Sequence, residues 1–277
     1  MKIKLFEPES EMLKKYIDFF YFINRNEVEN DESYMVFPNI KTCVSIFEKT
    51  ELIVDDFLII KENKRIEFVS VIDNNNSKPE LVTYSGAINE VCIGFKPLGI
   101  NHFLIKDLDY YLESRIANNF NPYDDYKSEM LNVFSKNTIV EKQITLEKYL
   151  LSKFKKFEHP FLNAVVFDML MENNGNLNIN QIAKNNNITV KTLIKHFNRH
   201  IGKSPNCFKK IIRFRNLINN SNSKNGNVRL TDLILAENYF DQSHMIKDFK
   251  SLTGETPKVF FTKLSTLFNG KINIFIQ

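Results

Sequence analysis

One short pattern occurs twice in the C-terminal third of this sequence, and it constrains the fold more than any other feature. Residues 187–205 are NITVKTLIKHFNRHIGKSP, and residues 238–257 are NYFDQSHMIKDFKSLTGETP. Each copy begins with Asn, continues through a helix-prone tract with basic residues and ends F-x4-G-x-[S/T]-P. Four pairs share one offset of 52 residues: Phe197 and Phe249, Gly202 and Gly254, Pro205 and Pro257, Phe208 and Phe260. A common offset for four pairs indicates a duplicated structural unit.

The residue types of each copy predict two helices joined by a tight turn. Asn enters the left-handed backbone region more readily than other residues with a side chain, and Gly ends helices there. Thr189 and Asp241 are placed to cap the second helix of each copy. The structural turns are therefore predicted at Asn187, Gly202, Asn238 and Gly254. The helices are predicted over 179–185 and 190–201 in the first copy and over 230–237 and 242–252 in the second.

A short helix, a left-handed turn and a second helix with a polar first turn make the helix-turn-helix design, whose second helix enters a DNA major groove. The segment 206–219, NCFKKIIRFRNLIN, predicts a helix that joins the two copies. Its residues span about 21 Å at about 1.5 Å each, and the flanking helices supply the rest of the roughly 34 Å between successive grooves. One chain would then contact two grooves on one face of the duplex.

Residues 178–265 resemble the DNA-binding domain of AraC/XylS-type bacterial transcription regulators. The phrase YFDQSHMIKDFKSLTGETP (239–257) matches the signature of the family's second motif, and RFRNLINN (213–220) resembles its linker helix. Three positions depart from the family pattern: Ile234, Asn238 and Met245. The segments VFPNIKTCVSIF and VCIGFKPLGINHFL are similar, more weakly, to the N-terminal region of a Bacteroidetes-like subset of these regulators.

The side chains expected at DNA lie near the N-terminus of each second helix or on the face that its buried apolar residues leave exposed. In the first copy they are Val190, Lys191, Thr192 and Lys195, and in the second Gln242, Ser243, Ile246 and Lys247. Gln pairs bidentately with adenine, and Lys donates to guanine. Phosphate contacts are expected from Lys203, Arg213 and Lys250. For Arg213 and Arg215 a structural ion pair along the linker helix is an equal alternative.

Charge and periodicity divide the chain. From residue 159 onward there are 16 Lys and Arg against 7 Asp and Glu, whereas residues 1–158 hold 21 against 26. The apolar runs before Pro97 are short and rich in aromatic and β-branched residues, which predicts an antiparallel β-sheet or barrel-like domain. The predicted strands are 18–24, 34–38, 42–48, 51–60, 65–72 and 91–97. Helical spacing follows over 100–106, 124–136, 143–156 and 159–172. We therefore predict an α+β protein with a β-rich sensor region at 1–110, a helical linker or dimerisation region at 111–172 and an all-α DNA-binding domain at 173–277.

Other kinds of site find little support in the sequence. His196 and His200 have metal-ligand spacing, but no Cys or carboxylate near them in sequence completes a set, and His102 is the single histidine of residues 1–158. The catalytic motifs of hydrolases, metalloproteases and nucleotide-binding enzymes do not occur. No catalytic residue, metal or cofactor is predicted, and Cys43 and Cys92 are expected to be inert thiols. An enzyme carrying a DNA-binding domain is the weaker alternative, as is a non-specific or architectural nucleic-acid binder.

The resemblance implies double-stranded promoter DNA and RNA polymerase as partners. A small-molecule effector in the phenylalanine-rich N-terminal region and a homodimer through 124–136 and 143–156 are further expectations. No secretory signal or membrane span is evident, so we expect a cytoplasmic protein.

Overall fold

The N-terminal half of the chain forms β-sheets and the C-terminal half forms helices, an α+β arrangement. The computed structural model describes residues 3–26, 30–54, 57–73, 78–112, 120–171, 178–222, 242–261 and 273–275. Among these residues no helix is both long and apolar enough to cross a membrane.

The strands form two sheets, and all but the last strand come from the N-terminal half. The strands are β1 (Ile17–Arg25), β2 (Glu32–Val36), β3 (Thr42–Glu48), β4 (Thr50–Val54), β5 (Leu58–Glu62), β6 (Phe68–Asp73), β7 (Glu80–Ser85), β8 (Ile88–Phe95) and β9 (Asn273–Phe275). The first sheet has the order β1-β8-β3-β6 and is antiparallel throughout. The second has the order β4-β5-β7-β2-β9 and is mixed, because β5 pairs with β7, and β2 with β9, in parallel.

Three expectations for the sheet region were wrong. The apolar run 51–60 is two strands, β4 and β5, which pair antiparallel with Val54 opposite Leu58. Strand β7 was not predicted, although its buried Val82 and Tyr84 have the two-residue alternation of a half-buried strand. The expectation of a purely antiparallel sheet fails because β6, between β5 and β7, crosses to the other sheet, so that β7 returns parallel to β5.

The helices follow in chain order. They are α1 (Leu108–Tyr111), α2 (Tyr126–Phe134), α3 (Ile139–Lys153), α4 (Leu162–Met171), α5 (Ile179–Asn185), α6 (Val190–Ile201), α7 (Pro205–Asn222) and α8 (Gln242–Thr253). The helix expected at 100–106 is a 3-10 turn over Gly99–Phe103. Helix α3 begins four residues before the predicted start at 143, because Thr138 and Glu141 form a capping box.

The buried apolar residues form separate cores, and different helices pack in each of them. One core joins the first sheet to α2 and α3 through residues such as Val44, Ile93 and Leu146. A second contains Leu162, Val165 and Met169 of α4 together with residues of α5, α6 and the start of α7. The expected boundary at residue 173 therefore separates α4 from the helices with which it packs.

Most of the phenylalanines that could have lined an effector pocket lie in these cores. Phe20, Phe47 and Phe95 are buried, whereas Phe57 is 38% exposed. Between the first sheet and α2 and α3 lies an apolar cavity of about 20 Å³, lined in part by Phe103. That volume holds about one water molecule, so this conformation has no room there for an organic effector.

Candidate nucleic-acid interface

The first copy of the repeated pattern is two helices joined by a left-handed turn. Asn178 caps α5, because its Oδ1 accepts from the Asn180 backbone N–H at 2.8 Å. At the other end Asn187 has a φ of 53°, in the left-handed region. Its N–H donates to the Lys184 carbonyl at 3.1 Å, and the next N–H, of Ile188, donates to Ala183 at 3.0 Å. These two bonds form a Schellman motif, which ends α5 and turns the chain into α6.

Helix α6 buries one face and exposes another. Thr189 caps it through a hydrogen bond from the Thr192 N–H to its Oγ1 at 3.1 Å, and Gly202 ends it with a φ of 71°. The buried side chains are Leu193, Phe197 and Ile201, which form an apolar stripe, together with His200. The opposite face presents exposed Lys191 and Lys195. It also presents Ile194, 37% exposed, which sequence reasoning missed.

Helix α8 repeats α6 at both ends with the offset found in the sequence. The bounds 190–201 and 242–253 differ by 52 residues at each end. Met245 takes the place of Leu193 and is fully buried, so this departure from the family pattern is accommodated in the core. The exposed positions also correspond, because Ser243, Lys247 and Lys250 lie on the surface of α8. Gly254, like Gly202, has a positive φ, of 78°.

Helix α7 supports both copies. Its first half contributes Phe208 and Ile212 to the core of α5 and α6. Its second half contributes Phe214 and Leu217 to the core of α8, in which Phe249 and Phe260 also lie. The helix is longer than the predicted 206–219, and its 18 residues span about 27 Å. Helices α6 and α8 therefore both pack against one continuous helix, α7.

Two of the residues expected at phosphate lie in the interior instead. Lys203 is 2% exposed, and burial lowers the pKa of its ammonium to about 8. Arg213 is 9% exposed, and its Nη2 donates to Asp248 Oδ2 at 2.5 Å, which ties α7 to α8. The surrounding core holds both side chains away from a ligand on the surface. Lys250 alone of the three expected phosphate contacts is exposed.

Arg215 joins the linker helix to the N-terminal sheets. Its Nε and Nη2 donate to the carbonyls of Pro38 at 2.9 Å and Phe37 at 2.7 Å. Phe37 in turn packs edge-on against Phe260, with 5.2 Å between ring centroids. Burial lowers the pKa of the guanidinium to about 10. The groups that Arg215 contacts are thus backbone carbonyls that precede β3, and not the carboxylate partner along the linker helix that was one alternative for it.

The C-terminal half of α6 contacts the N-terminal region. Asn101 Nδ2 donates to the His200 carbonyl at 2.8 Å, and Arg199 Nε pairs with Asp107 Oδ2 at 3.1 Å. The turn that carries Asn101 begins at Gly99, where a Cβ would lie 2.1 Å from the Tyr16 carbonyl oxygen. A side chain at 99 would therefore displace the turn that holds α6.

Part of the second copy lies outside the described residues. The short helix expected at 230–237, the turn at Asn238 and the cap at Asp241 are in this category, as is the side chain of Gln242. In the first copy, Val190 and Thr192 are half-buried, and the Thr192 hydroxyl is hydrogen-bonded to Thr189 at 2.9 Å. Ile246 is also half-buried.

No protein-family model and no curated protein matches this chain. Among solved structures it is similar to ToxT from Vibrio cholerae. The apo form from strain SCE256 has a TM-score of 0.40 at 15% identity, over 88% of this chain and 97% of that one. A 1.65 Å structure of ToxT has a TM-score of 0.41 at 14% identity, over 88% and 98%. The unsaturated fatty acid-bound form has a TM-score of 0.36 at 14% identity, over 87% and 94%. Similarity at these scores establishes neither a shared fold nor a shared function.

Proposed function

We propose that this protein is a sequence-specific DNA-binding transcription regulator of the AraC/XylS type, in which α6 and α8 enter two successive major grooves. The observation that carries the proposal is the equivalence of α6 and α8. They have the same length, the same buried positions and the same left-handed ends at one offset of 52 residues. Two equivalent helices that each keep an exposed side are suited to a ligand that presents the same surface twice. The DNA duplex does so with its successive major grooves.

The exposed side chains assign roles within the proposed interface. Lys195 and Lys247 occupy equivalent positions and are both exposed, so each is placed to donate to a guanine or a phosphate in its groove. Lys191 and Ser243 form a second equivalent pair. Ile194, at the position equivalent to Ile246, offers apolar contact to a thymine methyl group. Lys203 and Arg213 are left out of the interface, since both are buried.

The proposed control by the N-terminal region is supported by the contacts of α6. Asn101 and Asp107 hold the C-terminal half of the helix that would enter the first groove. A change in the N-terminal region that moves the turn at 99–103 would thus shift α6 as well. An effector and RNA polymerase as partners remain predictions of the family resemblance.

A homodimer is supported by an apolar row on α3. Val140 is 67% exposed, Ile144 60% and Leu151 40%, and their spacing places them along one side of the helix. Burying such a row against a second copy removes apolar surface from water. Replacing Ile144 by Lys should convert a dimer to a monomer in sedimentation velocity, whereas a monomeric wild type would remove the proposal.

The experiment that tests the function is selection of random duplexes by the purified chain at about 150 mM salt, where non-specific electrostatic binding is suppressed. Two enriched blocks about 10 base pairs apart are expected, one for each groove. Lys191→Ala should relax the first block and Lys247→Ala the second, while Lys184→Ala, an exposed lysine of α5, should leave both intact.

Two outcomes would contradict the proposal. Absence of enrichment, with an affinity that only falls as salt rises, would indicate a non-specific nucleic-acid binder. Enrichment that neither lysine substitution alters would place sequence recognition away from α6 and α8.

A further inference from the structure

The fold assembles three histidines that are distant in sequence. His196 and His200 lie one turn apart on α6, and His159 comes from the segment before α4. One nitrogen from each ring lies within 4.8 Å of the others, and His159 Nε2 is 2.9 Å from His196 Nδ1. His159 lies 37 residues before His196, so the sequence around α6 reveals only His196 and His200 as neighbours.

We propose that His159, His196 and His200 form a binding site for a divalent transition-metal ion, with zinc as the ion that fits the geometry best. Around a tetrahedral zinc at about 2.0–2.1 Å from each nitrogen, the ligand nitrogens are about 3.3 Å apart. Separations between 2.9 Å and 4.8 Å reach that value with small rotations of the rings. Three imidazoles suit zinc, copper and nickel and leave a fourth position for water.

The chemistry of the cluster favours a bound cation. His200 is 6% exposed and its Nδ1 accepts or donates no hydrogen bond among the described residues. A buried imidazole nitrogen without a partner is costly, and a metal ion satisfies it.

One carboxylate stands next to the cluster. Asp107 Oδ1 is 3.5 Å from His200 Nδ1 without a hydrogen bond between them, and its other oxygen pairs with Arg199. The negative charge of Asp107 next to this histidine nitrogen also favours a bound cation. Binding also has a cost, because His159 Nδ1 accepts from the Leu162 N–H at 3.3 Å. That bond is lost when Nε2 binds the ion, because the proton that Nε2 carried then lies on Nδ1, which can no longer accept.

The bound ion would link α6 to the start of α4. Metal binding at this site is independent of the proposed DNA recognition, so an experiment can refute either one without the other. The test uses the full chain, without an affinity tag that contains histidine, stripped with a chelator and titrated with zinc in a competitive assay. One zinc per chain is expected, together with a rise in the melting temperature of the loaded protein.

The matched variants are His196→Gln, which removes a half-exposed ligand, and Asn198→Gln, which changes an exposed residue of the same helix. Because losing even a supporting residue weakens metal sites by about 10- to 100-fold, His196→Gln should weaken zinc binding at least about 100-fold. Asn198→Gln should bind as the wild type does. If the wild type binds no zinc at micromolar concentration, or if His196→Gln binds it as tightly as the wild type, the site does not exist.

Folding of the variants is checked by circular dichroism, and a second measurement covers the case in which His196→Gln does not fold. Cobalt added to the wild type should give the visible absorption of a tetrahedral, nitrogen-coordinated ion. A spectrum of octahedral aqueous cobalt would overturn the proposal without any variant.

Discussion

The burial of Lys203 makes a prediction whose size follows from the structure. The folded-state pKa of about 8 lies below the 10.5 of an unfolded lysine. A tenfold change in the acid dissociation constant corresponds to about 1.4 kcal/mol. Lowering the pKa of Lys203 from 10.5 to about 8 therefore means that burying the charged ammonium costs about 3 kcal/mol at neutral pH. Since the folded pKa is depressed, the stability is present above pH 10.5 and is lost as the pH falls through 8.

The assay compares wild type with Lys203→Met by urea denaturation at pH 7 and pH 10. Between these values the wild type should gain about 2–3 kcal/mol relative to the variant. Asp73, Cys43 and Cys207 contribute to the field at Lys203, but they are present in both proteins. The difference between the two pH values also cancels any pH-independent loss of packing or hydrogen bonding caused by the substitution.

An exposed lysine provides the control. Lys195→Met, on the surface of α6, should show no such change between the two pH values. A flat difference for Lys203→Met as well would mean that the ammonium is solvated in the folded protein. Lys203 would then return to the group of candidate phosphate contacts, and the reasoning from burial would be refuted.

Three further predictions concern stability. Asn187→Ala should lower the free energy of unfolding by about 1 kcal/mol and Asn187→Gly should not, because the φ of 53° is easy for Gly and strained for Ala; equilibrium denaturation measures both. Burial raises the pKa of Glu90, so the wild type should lose stability relative to Glu90→Gln as the pH rises from 4 to 7, and parallel curves would contradict this. Asp248→Asn should cost about 3 kcal/mol by leaving Arg213 buried beside a neutral partner, and Arg213→Met with Asp248→Leu should cost less.

The repeat was predictable because its signals are local. A left-handed residue, a cap and a helical apolar stripe all act within about a dozen residues, so the bounds of α5 and α6 agree with the sequence. Strand β7 was missed, since strand pairing depends on partners far away in sequence. The mixed sheet order could not be predicted for the same reason.

The candidate site also combines features that follow from local sequence with features that depend on distant residues. Lys191 and Lys195 are exposed because they lie away from the apolar stripe of α6. That position can be predicted from the sequence alone. The surroundings of Lys203 include charged and titratable groups from the N-terminal half, such as Asp73 and Cys43, which no local pattern around Lys203 predicts. The cluster around His159 likewise requires the packing of α4 against α6, which no local pattern records.

The buried cations change what the basic charge of the C-terminal third can contribute to DNA binding. Counting exposed lysines of α6 and α8 gives four, namely Lys191, Lys195, Lys247 and Lys250. The logarithm of the binding constant should fall with the logarithm of salt concentration at a slope of about −0.9 per neutralised phosphate, so four contacts predict a slope of about −4. If Lys203, Arg213 and Arg215 also met phosphate, the slope would be about −6. Titration of the selected duplex between about 50 and 200 mM salt separates the two values. The steeper slope would mean that the bound protein releases these three side chains from the interior, and hence that α7 leaves its contact with Phe37 and Pro38 when DNA binds.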